Sequence, residues 1–188
     1  KRQTELGLLL MAEEEWSDAR KALLSGAAGA TAPMLNFLQA AYASNELGQT
    51  KRRNELLQKA ADSTPGAQFA VDLAAARMQL ASLDSSETEA ALEKLHSLRD
   101  QAPRHQIVSE FLARGYEKKG DFSALETQLG KIKRMRREHP DDVARMEGAI
   151  GRHKVLDAIA KDADAKGAIA VWKRLDKGVR MNTAFVED

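Results

Sequence analysis

Residues 112–129 read LARGYEKKGDFSALETQL, and this stretch decides the fold. A large residue, Leu112, is followed by a small one, Ala113, then by the aromatic Tyr116, the turn Gly120-Asp121-Phe122, and Leu129. Apolar residues three or four apart on both sides of a Gly-Asp turn predict two helices folded back on each other. The small residue is needed where the two helices cross, because a bulkier side chain would push them apart. The same order opens the chain, in Leu6-Gly7, Leu10, Trp16, Ala19 and Leu23.

Working outward, the second helix of each hairpin superposes when started from Trp16, Thr50, Thr88, Phe122 and Ala168. Seven residues on stand Leu23, Leu57, Leu95, Leu129 and Leu175; three on stand Ala19, Arg53, Ala91, Leu125 and Val171, so Arg53 alone breaks the apolar rule. Turn signals fall near Glu14-Glu15, from Gly26 to Pro33, and at Gly48-Gln49, 63–66, 84–86, Ala102-Pro103, Gly120-Asp121, Pro140 and Lys166-Gly167. Pro33, Pro65, Pro103 and Pro140 stand where one hairpin ends and the next begins, positions at which a missing amide costs nothing. Self-similarity at this period is the mark of a solenoid, in which each hairpin buries its face against its neighbours. The pattern is of the tetratricopeptide type. The expected fold is all-α: a right-handed α-solenoid of about five tetratricopeptide-like hairpins, near 1–30, 33–62, 67–100, 104–138 and 141–180, forming one repeat domain. One helix, near 141–164, reads longer than the rest.

Composition agrees. Apolar residues are 43% but aromatics only 5%, so the core must be aliphatic and small, which suits helix on helix rather than a sandwich. Lys and Arg number 29 against 28 acidic residues, so no general affinity for nucleic acid is expected. With no cysteine there is neither a disulfide framework nor a thiolate metal site. The uncharged stretch 25–45 carries Gly26, Gly29, Pro33, Asn36 and Gln39 and is too polar to span a bilayer. The opening Lys1-Arg2-Gln3 and the helical character of 182–188 give the chain the look of a piece of a longer one.

Catalytic machinery is not visible in the sequence. His96, His105, His139 and His153 fall in different hairpins or loops, none paired at helical spacing with a carboxylate, so no metal site is expected. His105 or His153 is conceivable only as a single axial ligand to a tetrapyrrole iron. No Gly-rich phosphate loop or serine elbow is present. Trp16, Phe37, Phe122 and Trp172 take core positions by spacing.

The first helices of a hairpin solenoid line its hollow side, the default docking surface. Repeat register places Leu38, Tyr42, Asn45 and Glu46, then Arg77, then Arg114, Glu117 and Lys118 on it. The arginines suit bidentate grip of carboxylates and Tyr42 a flat amphipathic contact. The run Lys131-Ile132-Lys133-Arg134-Met135-Arg136-Arg137 holds five basic residues in seven. A helix C-terminus favours such cations through its dipole; contact with an anionic surface is the sharper expectation.

The run Pro33-Met34-Leu35-Asn36-Phe37-Leu38-Gln39-Ala40-Ala41, followed by Arg52-Arg53-Asn54-Glu55-Leu56-Leu57-Gln58-Lys59-Ala60, resembles the tetratricopeptide portion of the proteobacterial HemY proteins. Ala102-Pro103-Arg104-His105, Tyr116, Gly120-Asp121 and Trp172-Lys173-Arg174-Leu175 extend the likeness over most of the chain. The resemblance implies a non-catalytic repeat domain tethered at the bacterial inner membrane and associated with late protohaem synthesis; a cytosolic face is the expectation, though the sequence alone does not fix the side. No resident cofactor is expected. The partners would be haem-pathway enzymes, with a porphyrin or haem as the other ligand to test. The flavin-dependent oxidase that shares the family's name is excluded by the lack of a dinucleotide fingerprint. A generic peptide-binding adaptor with no link to haem is the alternative function.

Overall fold

The computed structural model describes residues 2–135, 140–162 and 165–181. Among the described residues there are eleven helices and no strand. They are α1 (Arg2–Ala12), α2 (Trp16–Ala27), α3 (Met34–Glu46), α4 (Thr50–Asp62), α5 (Gln68–Ala81), α6 (Ser85–Gln101), α7 (Gln106–Lys119), α8 (Phe122–Met135), α9 (Pro140–Asp162), α10 (Ala165–Arg174) and the short α11 (Lys177–Arg180). The chain divides into two compact units, Lys1–Lys94 and Leu95–Asp188, the division falling inside α6. The expected all-α architecture of stacked helical hairpins is what each unit contains.

In the first unit α1 packs on α2, α2 on α3 and α3 on α4. The core of this unit, to which α5 adds Val71 and Met78, is built from Leu23, Ala40, Ala41, Leu56, Leu57 and Ala60, with Tyr42, Phe37 and Leu38 partly buried against it. In the second unit α7 packs on α8, α8 on α9, and both α10 and α11 on α9. Its described core is Ala113, Leu125, Leu129, Ile132, Met146 and Ile150. The long helix of the sequence reading is α9, which runs for 23 residues.

Three hairpin turns share one hydrogen-bond pattern. After α7, Gly120 takes a left-handed conformation (φ 75°); its N–H donates to Glu117 O, and the next N–H, of Asp121, donates to Tyr116 O. After α3, Gly48 and Gln49 donate in the same register to Asn45 O and Ser44 O. After α1, Glu14 and Glu15 do so to Met11 O and Leu10 O. This is the Schellman closure, which needs a residue at positive φ. At the first turn that residue is a glutamate, held at φ 60°.

The structure also corrects details of the sequence reading. The break from Gly26 to Pro33 is shorter than read, because α2 continues to Ala27 and Gly26 is buried inside it. Of the five aligned leucines, Leu23, Leu57, Leu95 and Leu129 are buried, while Leu175 is half-buried and lies one residue beyond α10. The four aromatics placed in the core, Trp16, Phe37, Phe122 and Trp172, are each half-buried. With so many alanines inside, large rings fit only at the margins. Arg53, the one exception to the apolar rule, is by contrast 2% exposed.

Glu14 carries a Cβ into a conformation that disfavours side chains by about 1–2 kcal/mol. Glu14→Gly is expected to raise stability by about 1 kcal/mol, after allowance for the greater freedom of glycine in the unfolded chain. Urea unfolding of the two proteins measures this; an unchanged or lowered midpoint would show that the turn is not strained.

Candidate functional site

The predicted docking residues of the first unit lie on α3 and α5. Leu38, Tyr42, Asn45 and Glu46 are spaced to share one face of α3. Tyr42 meets the ring of Trp16 edge-on, with centroids 5.9 Å apart. Leu38 and Tyr42 are partly buried and Glu46 is exposed. Asn45 is committed: its Oδ1 accepts a 3.1 Å hydrogen bond from Arg53 Nη1. Arg77, on α5, is exposed.

Arg53 explains its own burial. Its Nη2 donates to both carboxylate oxygens of Glu87 at 3.0 Å, Nη1 to Asn45 and Nε to Asn54 Oδ1 at 3.0 Å. The guanidinium therefore joins α3, α4 and the first turn of α6 through charge-assisted bonds, the geometry in which a buried arginine is tolerated.

In the second unit two of the three predicted residues pair with a neighbouring helix. Arg114 pairs with Asp142 of α9 at 3.4 Å, its guanidinium lying 5.9 Å from the Phe111 ring centre. Glu117 pairs with Arg145 of α9, and Lys118 is exposed. Two further bridges, Lys133–Glu147 and Lys154–Glu126, tie α8 to α9. Within the basic run, Lys133 is therefore engaged, Arg134 Nε donates to Gly130 O at 2.9 Å, and Lys131 is half-buried. Arg136 and Arg137, like His139, lie outside the described residues.

The histidines have local duties. His105 is the N-cap of α7, its Nδ1 accepting from Val108 N–H at 3.4 Å. His153 stacks on Phe122, with centroids 4.4 Å apart and planes 18° from parallel. His96, on α6, lies with Nε2 3.2 Å from the Tyr116 hydroxyl of α7. This pair has no periodic signature, since its members sit 20 residues apart on different helices. Burial holds the His96 pKa below its ordinary 6.5, with Arg99 and Lys131 acting in the same direction and Asp100 opposing. Burial likewise raises that of Tyr116. Among the described residues no group of three His, Cys, Asp or Glu is placed to hold a metal ion, and no helix is long and apolar enough to cross a membrane.

Two outcomes test these assignments. Removing one partner of a buried ion pair strands the other, so Glu87→Ala is expected to destabilise the first unit by about 3 kcal/mol, read by chemical denaturation. A loss below about 1 kcal/mol would place Arg53 in contact with water. For His96, the fold favours the neutral imidazole, so its contribution is present above the unfolded value near 6.5 and is lost as pH falls through the lowered folded value. Melting temperature should therefore drop between pH 7 and 5.5, and His96→Gln should flatten that slope; an unaltered slope in the variant would rule His96 out as its source.

No family model matches the chain. No solved structure matches it either. Among curated proteins it is similar to Protein HemY of Escherichia coli K12, of Escherichia coli O157:H7 and of Shigella flexneri, at 28% identity over 190 aligned residues in each case. The alignment takes in 98% of this chain and 46% of each relative, so the chain spans about half the length of the curated relatives it matches. Over nearly its entire length, then, the chain is HemY-like in sequence, in agreement with the resemblance carried by its Pro33–Ala41 run.

Proposed function

We propose that this chain is a non-catalytic scaffold of the tetratricopeptide type, serving late haem synthesis at the bacterial inner membrane by holding pathway enzymes on the faces of its first helices. The observation that carries the reading is the coincidence of a stacked-hairpin fold with HemY-like sequence over 98% of the chain. Hairpin stacks present long faces with no deep catalytic cleft, and their use is to bind. Tethering would act by raising the effective concentration of one enzyme near another, with no barrier lowered by the scaffold itself.

The face of α3 and α5 in the first unit is the favoured docking surface. It offers Tyr42 and Leu38, both half-buried against the core, with Glu46 exposed on the same helix and Arg77 exposed on α5. Aromatic anchors rimmed by charge are the usual make-up of a binding hot spot. Arg114 and Glu117 of the second unit are bound to α9, so a partner there would have to compete with existing pairs. Exposed pairs of this kind are weak, about 0–1 kcal/mol, and exchange readily.

Surface plasmon resonance with the immobilised chain, against purified enzymes of the last steps of haem synthesis one at a time, tests the proposal. At least one should bind saturably. The charge reversals Glu46→Lys and Arg77→Glu, both at exposed positions, should together weaken it about tenfold, or about 1.4 kcal/mol. Binding by none of them, or binding indifferent to both reversals, overturns it.

A further inference from the structure

A cleft of about 250 Å³ lies in the second unit between α8 and α9, with Leu175 and Val179 closing a third side. Its two long walls carry one pattern. Glu126, Leu129, Gly130 and Lys133 on α8 recur as Glu147, Ile150, Gly151 and Lys154 on α9, at the same spacing. The pairs Lys133–Glu147 and Lys154–Glu126 close its two ends. Seven residues of helix separate those ends, about 10 Å.

The middle of the cleft is open because of Gly130. A Cβ added there would meet nothing within 4 Å, so no close approach of helices calls for a glycine. Inside a helix glycine is less favourable than alanine, and here packing gives nothing back for that cost. The effect of the missing side chain is to leave a space beside Leu129, Ile150, Leu175 and Val179. A closed apolar cavity of about 150 Å³ accepts benzene. Sites for drug-sized molecules begin at about 300 Å³, so the complement of this cleft is a small apolar body.

The third side adds charge. Lys173, Arg174, Lys177 and Arg180 make no ion pair among the described residues. Asp176, the only acid from 173 to 181, is occupied as the N-cap of α11, accepting from Gly178 N–H at 2.8 Å. This differs from α7, α8 and α9, whose facing charges are matched. An anion at either end of the cleft would have to displace a glutamate. Beside Val179 it would meet unmatched cations.

We propose that this cleft binds a small amphipathic monocarboxylate with an apolar body of roughly eight carbons. The body takes the space that Gly130 leaves, and the carboxylate is held by Lys177 and Arg180, which flank Val179. The site is separate from the α3 and α5 face, and it stands whether or not the partners are haem-pathway enzymes.

The test is a heteronuclear NMR titration of the isotopically labelled chain with octanoate and with octylammonium, both below their micelle concentrations. Octanoate should give saturable shifts in the amides of Gly130, Gly151, Leu175 and Val179, and octylammonium should bind at least tenfold more weakly. Gly130→Leu fills the space and should abolish octanoate binding in a folded chain, since nothing crowds the new Cβ. Lys177→Glu combined with Arg180→Glu should weaken it at least tenfold, and serves if the first variant fails to fold. Absence of saturable shifts overturns the proposal. So do shifts centred on the α3 face, equal binding of the two amphiphiles, or an affinity unchanged in either folded variant.

Discussion

A Cβ atom added to Gly7 would stand 2.6 Å from Leu23 Cγ, and one added to Gly26 would stand 2.6 Å from the Thr4 hydroxyl and 2.8 Å from the Asn36 amide. Helices α1, α2 and α3 therefore meet at a point where there is no room for a side chain. Leu23 fills the place that Gly7 vacates and is fully buried. Asn36 then donates to both Thr4 Oγ1 and Leu23 O, binding all three helices. Close approach is how a core rich in alanine gains enough contact, since each small side chain buries little surface and dispersion must come from neighbours at short range. Ala19, Ala40, Ala41, Ala60 and Ala113, none of them exposed at all, serve the same end.

Small residues bring helices together but do not fix how far along each other they slide. Polar groups do that here. Arg53 reaches Asn45 on one side and Glu87 on the other, and only one register satisfies both. In the second unit the buried Gln128 side chain donates to Ser109 O across the α7–α8 crossing. Buried hydrogen bonds of this kind contribute modestly when made and cost more when broken, so they discriminate against shifted packings.

Most of the fold was legible because hairpin repeats are specified locally. The Leu at the seventh position, the small residue before Tyr116 and the Gly-Asp turn each answer to a need within one hairpin, and each is met except at Leu175, which lies past the end of its helix. Arg53 was legible as an exception but not as a bridge, for its partner Glu87 lies 34 residues away on another helix. The strain at Glu14 was invisible for a similar reason: only alignment of its turn with Gly48 and Gly120 shows that a glycine conformation is demanded there. His105, only conceivable from the sequence as an axial ligand, is a helix cap by position. For the docking face, register put Leu38, Tyr42 and Glu46 together on α3. It was blind to the pairing of Arg114 and Glu117 with α9, since side chains on facing helices find each other in space and leave no periodic trace.

That pairing bears on what such a molecule can recognise. With 29 basic and 28 acidic side chains, the chain has little net field, and many of its charges are matched locally, within one helix or across to the next. Long-range steering of a partner depends on unmatched charge of one sign and is correspondingly weak. Under the proposed scaffold role, selectivity would come from contact, from the Tyr42 ring and from exposed ions such as Arg77 and Glu46 met at close range. A surface of that kind binds through shape and hydrogen-bond geometry, and it tolerates several partners so long as each offers a complementary face. The proposed scaffold role asks for this kind of contact recognition, since tethering needs no charge placed against a single transition state.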